Sequence, residues 1–329
     1  MRWTDIIGHT ENIVRLQNML SSGRMPHALL FAGPEGIGKR MVAQVVAASL
    51  VCMAVGNKPC GQCPSCQQVK GGRQPDLLVI SPEGATIKID QIRNLQHEAA
   101  LAPYGGQRRV CIIEDAEKMT AQAANSLLKF LEEPPGEMVF ILLSAGKQLL
   151  LETILSRCCV LAFQPLTYLL LTEALVSRGV LPEQAKVAAR LSGGGMGTAL
   201  KLVEPDGFVV RNQAVSIMAG LLGCKMMFVW DTAGQWEKLE RRELLAVLQY
   251  MRYILRDLLM LAAGQELSLL FNLDLASSLQ AQVDNWNETR LIAALSAVEM
   301  ARRALRGNAN SRLTSEALLI KLRDLAGED

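Results

Sequence analysis

A glycine-rich loop near the start of the chain has the residues needed to bind phosphate. Residues 33–40 read Gly-Pro-Glu-Gly-Ile-Gly-Lys-Arg and match the pattern G-x-x-x-x-G-K-[ST] except at the last position. Glycine lets backbone N–H groups point at phosphate oxygens, and the lysine reaches the β- and γ-phosphates. Gly33, Gly36, Gly38 and Lys39 are therefore candidate nucleotide-binding residues. A glycine turn without a ligand is the alternative.

The last position of this loop departs from the pattern. Ser or Thr is expected there, because its hydroxyl ligates Mg²⁺, but the sequence has Arg40. A guanidinium group cannot ligate a cation and repels it through its own charge. We therefore expect that ATP or ADP could bind at the loop, and that hydrolysis of Mg-ATP there is disfavoured.

Two acidic residues follow an apolar run further along the chain. Residues 109–119 read Arg-Val-Cys-Ile-Ile-Glu-Asp-Ala-Glu-Lys-Met, which is typical of an ATPase strand that ends in carboxylates near Mg²⁺. The usual order is Asp then Glu, whereas this chain has Glu114 then Asp115. A misplacement of about 1 Å can lower a rate about a hundredfold. We assign both residues to the nucleotide site, with solvated acids at a strand end as the alternative.

Four cysteines have the spacing of a metal site. Cys52, Cys60, Cys63 and Cys66 form the pattern C-x₇-C-x₂-C-x₂-C, and zinc takes four tetrahedral thiolate ligands from such closely spaced residues. Four protein ligands leave no open position for water, so we predict a structural Zn²⁺ rather than four unrelated thiols. The other cysteines lie in apolar or strand contexts and are expected to be buried thiols: Cys111, Cys158, Cys159 and Cys224.

Composition limits the setting in which these residues work. The chain has 329 residues, 50% of them hydrophobic, and a formal net charge of only +2, which argues against a surface coated in basic residues for nucleic acid. Residues 1–7 lack the apolar core of a secretory signal, and no apolar run reaches the roughly 18 residues that span a bilayer. We expect a cytoplasmic protein with no membrane partner, in which reduced thiols favour metal binding over disulfides.

Short apolar runs would position the candidate residues. Residues 27–32, 77–80, 110–113 and 139–143 are separated by helical patterns, which predicts an α/β fold with a parallel sheet and helices on both faces. After about residue 165 the strand signals fade and the pattern becomes helical. Two apolar stripes are expected to face a helical core, one of Leu244, Leu248, Met251, Leu255 and Leu258, the other of Leu291, Leu295, Val298 and Met300.

Several segments resemble the bacterial clamp-loader family of the AAA+ class. Residues 125–135 read Asn-Ser-Leu-Leu-Lys-Phe-Leu-Glu-Glu-Pro-Pro, which looks like the segment after the acidic strand in that family, and residues 153–158 end in its Ser-Arg-Cys motif. Residues 7–9 and 25–31 also match, so the resemblance is dense up to about residue 165. Residues 308–313 resemble the family's C-terminal collar less specifically.

The resemblance implies three domains and one residue that acts on a neighbour. A P-loop AAA+ domain would span residues 1–166 with a zinc module inserted at about 52–70, a helical lid 167–207, and a helical collar for oligomerisation 208–329. The family's Ser-Arg-Cys arginine corresponds to Arg157. In the family it is an arginine finger, which reaches in trans into a neighbouring subunit's ATP site and stabilises charge on the transferred phosphoryl group.

The departures from the family pattern favour one of its branches. The ATPase branch, gamma/tau, has a P-loop Thr, an Asp-Glu pair and a lid arginine, whereas this chain has Arg40, Glu114 before Asp115, and Gly197 at the arginine position. These losses fit the delta-prime branch, a stator that need not hydrolyse ATP. An active gamma/tau-like ATPase and another AAA+ remodeller are the alternatives.

The same resemblance implies the partners. A delta-prime subunit of the DNA polymerase III clamp loader would assemble with gamma/tau and delta subunits. It would act on the sliding clamp indirectly and meet primer-template DNA within the complex. The sequence contains no polymerase or nuclease site that we can identify.

Overall fold

A computed structural model describes residues 2–99, 104 and 108–327. It divides into two compact units, one of residues 1–174 with 194–198 and one of residues 175–193 with 199–329. Two of its three boundaries fall within helices, α7 (Tyr168–Val176) and α9 (Met196–Leu202), and the third lies between residues 193 and 194. The three-domain division inferred from the family remains a prediction.

The first unit contains a five-stranded sheet in which every pairing is parallel, in the order β2-β3-β4-β1-β5. All four apolar runs in the sequence form strands, as predicted. The edge strand β5 was not predicted, because it is short, only partly buried and directly follows the Ser-Arg-Cys motif. The strands are β1 (Ala28–Ala32), β2 (Leu77–Ile80), β3 (Arg109–Ile113), β4 (Met138–Ser144) and β5 (Cys159–Ala162).

Helices cover both faces of this sheet, because successive strand residues point to opposite sides. On one face, Leu29 and Phe31 of β1 pack with α1 (Thr10–Ser21) and α2 (Lys39–Val51). On the other face, Leu30 packs with residues of α4 (Ile89–Ala99) and α5 (Ala121–Glu132). Two short helices complete the unit: α3 (Pro64–Lys70) and α6 (Glu152–Leu155).

In the second unit, the described residues form helices and loops around one apolar core. The predicted stripe of α12 is buried at all five positions. The second stripe is wrong at Met300, whose side chain is 66% exposed. Met300 comes two residues after Val298, and two residues turn about 200° around a helix, so Met300 points away from the buried face. The helices are α8 (Pro182–Leu191), α10 (Val209–Gly220), α11 (Met226–Glu237), α12 (Arg241–Ala262), α13 (Ala276–Gln280), α14 (Glu288–Arg306) and α15 (Ser311–Gly327).

The fold class predicted from the sequence is confirmed. A parallel sheet with helices on both faces comes first in the chain, and helices alone follow it in the described part beyond β5. None of the helices in the described residues has the length and apolar character needed to cross a membrane.

Candidate functional site

The glycine-rich loop connects β1 to α2, as a P-loop requires. Gly36 and Gly38 have φ angles of +77° and +104°, which are strained for other residues. A Cβ atom on Gly33 would lie only 2.2 Å from the carbonyl oxygen of Phe163. The glycines are therefore needed for the shape of this loop.

Lys39 is buried at the start of α2, with 9% of its surface exposed. Its ammonium group donates to the carbonyl oxygens of Gly33 and Pro34, the latter at 2.7 Å. Burial lowers the pKa of Lys39, while the charges of Glu117, Glu35 and Asp115 oppose that shift. No carboxylate of the described residues lies within ion-pair distance of Lys39, so an anion bound at the loop could neutralise a buried cation.

The structure brings the two predicted acids to the same edge of the sheet as the loop. Glu114 directly follows β3, and its Oε1 lies 2.7 Å from Nε of Arg40. Burial raises the pKa of Glu114, although the attraction of Arg40 opposes the shift. Asp115 has a left-handed backbone, and its Oδ2 accepts a hydrogen bond of 2.8 Å from Lys118.

The segment around Gly197 lies against the loop. The backbone N–H of Gly197 donates to the carbonyl oxygen of Gly36 at 2.8 Å. A Cβ atom on Gly36 would meet Oγ1 of Thr198 at 2.7 Å, so the contact is tight. Position 197, assigned to the missing lid arginine, is therefore next to the P-loop, with no side chain to offer a phosphate.

Two residues near the loop were missed by the sequence analysis. Nε2 of His9 is 2.8 Å from the carbonyl oxygen of Ile37, so the histidine supports the loop from α1. Glu117 accepts a hydrogen bond of 3.1 Å from the backbone N–H of Ala145, while its Oε2 is buried without a partner among the described residues. Both contacts join residues far apart in the sequence and form only on folding, so local pattern does not reveal them. The one available signal was that Glu117 is two residues from Asp115.

His27 precedes a strand next to the P-loop, so the sequence leaves it two roles, lining an adenine pocket or packing. It precedes β1 at the end of the strand opposite the P-loop, and its Nε2 is 3.0 Å from the carbonyl oxygen of Leu131. The contact supports the packing role.

Arg157 lies between α6 and β5, and its hydrogen-bond partners come from outside the P-loop. Nη2 lies 2.5 Å from Oε1 of Glu132, at the end of α5, and Nη1 donates to the carbonyl oxygen of Thr153 at 2.9 Å. About a third of the side chain, 34%, remains exposed. Arg157 is therefore held in one orientation while about a third of its side chain stays accessible.

The four predicted zinc ligands converge. Their sulfur atoms all lie within 4.8 Å of one another. The Cys52–Cys63 and Cys60–Cys66 sulfur distances are 4.0 and 3.9 Å, close to the roughly 3.8 Å between sulfurs of a tetrahedral zinc site. These distances are far too long for disulfides, whose S–S bond is about 2.05 Å. The donor set fits zinc and leaves no ligand position open.

The local backbone also favours metal binding at this cluster. Cys52 follows α2, whereas Cys63 precedes α3 and Cys66 lies within it. Backbone N–H groups of Gln62 and Cys63 lower the pKa of Cys60 to about 6. Such N–H···S contacts stabilise the thiolate, which is the form that ligates zinc.

Comparison with known proteins gives the family. A family model described as DNA polymerase III, delta subunit, matches residues 8–167. The DNA polymerase III subunit delta' of Bacillus subtilis is 32% identical over 315 residues, and the match covers 94% of each chain. The chain belongs to the delta-prime family of DNA polymerase III subunits. The resemblance to the delta-prime branch that was read from the sequence is thereby confirmed.

Other relatives agree with membership of the delta-prime family. The delta' subunit of Pseudomonas aeruginosa is 39% identical over 203 residues, which cover 59% of this chain and 60% of the relative. The tau subunit of Escherichia coli is 33% identical over 235 residues, but these make up only 36% of tau. The match to the Bacillus subtilis delta' subunit extends much further along both chains than the tau match.

Proposed function

We propose that this chain is the delta-prime subunit of a clamp loader that helps to place a sliding clamp on primed DNA. The match to a delta' subunit along 94% of both chains supports this role. The chain would work in the cytoplasm with gamma/tau and delta subunits, meet the clamp only indirectly, and contact primer-template DNA within the complex.

Arg157 would be the residue through which this subunit takes part in ATP hydrolysis. An arginine finger must present a guanidinium group outward to the γ-phosphate of a neighbour's nucleotide. Arg157 is oriented by Glu132 and by the carbonyl oxygen of Thr153, and 34% of its side chain stays exposed. The proposal rests on this observation: hydrogen bonds fix the orientation of Arg157, and its side chain is still partly exposed.

The chain's own loop would hold ATP or ADP without rapid hydrolysis. The positive φ angles of Gly36 and Gly38 and the burial of Lys39 support this role. Arg40 stands where a hydroxyl would ligate Mg²⁺, and Glu114 is paired with it. These residues disfavour the alternative of an active gamma/tau-like ATPase.

The cysteine cluster would have a structural role. Cys52, Cys60, Cys63 and Cys66 would hold one Zn²⁺ that ties α3 to the end of α2. A closed tetrahedral site stabilises the local fold and activates no water.

Reconstitution tests the proposal. The chain is mixed with the gamma/tau and delta subunits of the same organism, and clamp loading on primed DNA is measured with and without it. We expect a stable complex, loading that requires this chain, and negligible ATP turnover by the chain alone. Rapid turnover by the purified chain, or normal loading in its absence, would contradict the stator role.

A further inference from the structure

Arg40 occupies a position from which P-loop proteins normally contact a metal ion. The hydroxyl at this position and a carboxylate at the end of a nearby strand both lie close to Mg²⁺ in such proteins. Here Arg40 is the second residue of α2, and its Nε lies 2.7 Å from Oε1 of Glu114, which follows β3. The ion pair therefore joins the two groups between which a metal would bind.

Glu114 and Asp115 are each already paired with a cationic side chain. Glu114 is paired with Arg40, and its side chain is only 17% exposed. Asp115 accepts a hydrogen bond from Lys118, and this bond is the main cause of the raised pKa of Lys118. An incoming Mg²⁺ would compete with a bound cation at either carboxylate, and Arg40 would repel it.

The same arrangement leaves two positive groups for phosphate. The Arg40 side chain is 64% exposed, and its contact with Glu114 is made through Nε. Its terminal nitrogens form no hydrogen bond within the part of the chain that the structure describes, and a planar guanidinium fork suits phosphate oxygens. Lys39 adds a buried ammonium group whose hydrogen bonds among the described residues go to two carbonyl oxygens.

We propose that the Arg40–Glu114 ion pair replaces the divalent cation at this loop, so that the chain binds ADP without metal. This inference rests on the nucleotide-binding role proposed above for the loop. Arg40 supplies charge neutralisation that Mg²⁺ supplies elsewhere, but it cannot position a water molecule or act as a Lewis acid. The bound nucleotide would therefore be retained and not hydrolysed.

Calorimetric titration with ADP tests the proposal on the full-length, zinc-loaded chain. Binding is measured with Mg²⁺ and in Mg²⁺-free buffer without a chelator, since a chelator would also remove zinc. The two dissociation constants of the wild type should agree within about twofold. Arg40→Thr restores a metal ligand, so its binding should become at least about tenfold weaker without Mg²⁺ than with it.

Three controls assign the effect to the loop. Lys39→Ala should lose ADP binding in both buffers, whereas Arg93→Thr, which changes an exposed ion-paired arginine on α4, should behave as wild type. If Arg40→Thr does not fold, Arg40→Lys keeps the charge and should bind ADP more weakly, still without a need for metal.

Either of two results would overturn the inference. One is wild-type binding that requires Mg²⁺, and the other is a folded, zinc-loaded chain that binds no ADP in either buffer. Neither result would contradict the stator role, which the reconstituted loading assay tests separately.

Discussion

The phosphate loop and the Arg157 region lie on the same sheet but differ in what they retain. The loop keeps the glycines and the lysine of a nucleotide site, while Arg40 occupies the metal-ligand position and is tied to Glu114. The Arg157 region keeps the arginine of the Ser-Arg-Cys motif, which is oriented by Glu132 and partly exposed. On the function proposed above, the architecture of an ATPase persists where the metal chemistry is lost, because the backbone depends on glycines and apolar strands while metal binding depends on single side chains.

The largest expected effect concerns Arg157. In the assembled complex, Arg157→Ala should slow hydrolysis at the one ATP site it completes by about 10³-fold or more. Total ATPase activity would fall only partly, because other sites remain, while clamp loading, which needs coordinated sites, would fall much further. Arg157→Lys should rescue poorly, since a point charge lacks the planar fork of guanidinium.

The measurement is clamp loading by complexes of equal composition and zinc content. Arg93→Ala is the matched control, because Arg93 is an exposed arginine on α4 with an acidic partner of its own. Normal loading by an intact Arg157→Ala complex would make Arg157 an ordinary surface arginine.

The cysteine cluster differs from the phosphate loop in that all four of its expected metal ligands are present. Cys63→Ser should reduce zinc from about one per chain to near zero and lower the unfolding temperature, since metal binding contributes to folding. Cys224→Ser changes a thiol outside the cluster and should leave zinc unchanged. Elemental analysis checks both. A stoichiometric metal that survives removal of all four clustered thiols would rule out the site.

A smaller effect is expected at Glu132, which acts only by positioning Arg157. Glu132→Gln removes a partly exposed ion pair worth about 1 kcal/mol, so hydrolysis at the neighbouring site should fall by about tenfold or less. Adding it to Arg157→Ala should cause no further loss, because the two act through one group. Glu133→Gln, at the exposed next position, is the control. A further loss in the double variant would give Glu132 a separate role.

The smallest effect is expected at Arg40 when ATP turnover is measured. Arg40→Thr alone should not give the isolated chain robust ATPase activity, because the exchanged acids and Gly197 remain. Catalytic groups that act as a unit are strongly non-additive. Rapid turnover by this single variant would identify Arg40 as the only defect and weaken the contrast between the two regions.

Local sequence patterns predicted many of the structural elements of this chain. Four strands, the P-loop and the cysteine cluster follow from apolar runs, glycines and short spacings, each contained in a few neighbouring residues. The pairing of Glu132 with Arg157 and the contact of His9 with Ile37 join residues 25 and 28 positions apart, so they exist only after folding. Strand β5 has an apolar sequence, Cys-Val-Leu-Ala, but it is an edge strand of only four residues that directly follows the Ser-Arg-Cys motif.

The most direct test compares Lys39→Ala with Arg157→Ala, each in the reconstituted clamp loader. Both variants should assemble and keep zinc. Lys39→Ala should lose nucleotide at this chain's own loop yet load clamps at close to the wild-type rate, whereas Arg157→Ala should lose most of the loading. The reverse pattern, with loading abolished by Lys39→Ala and preserved by Arg157→Ala, would contradict the account.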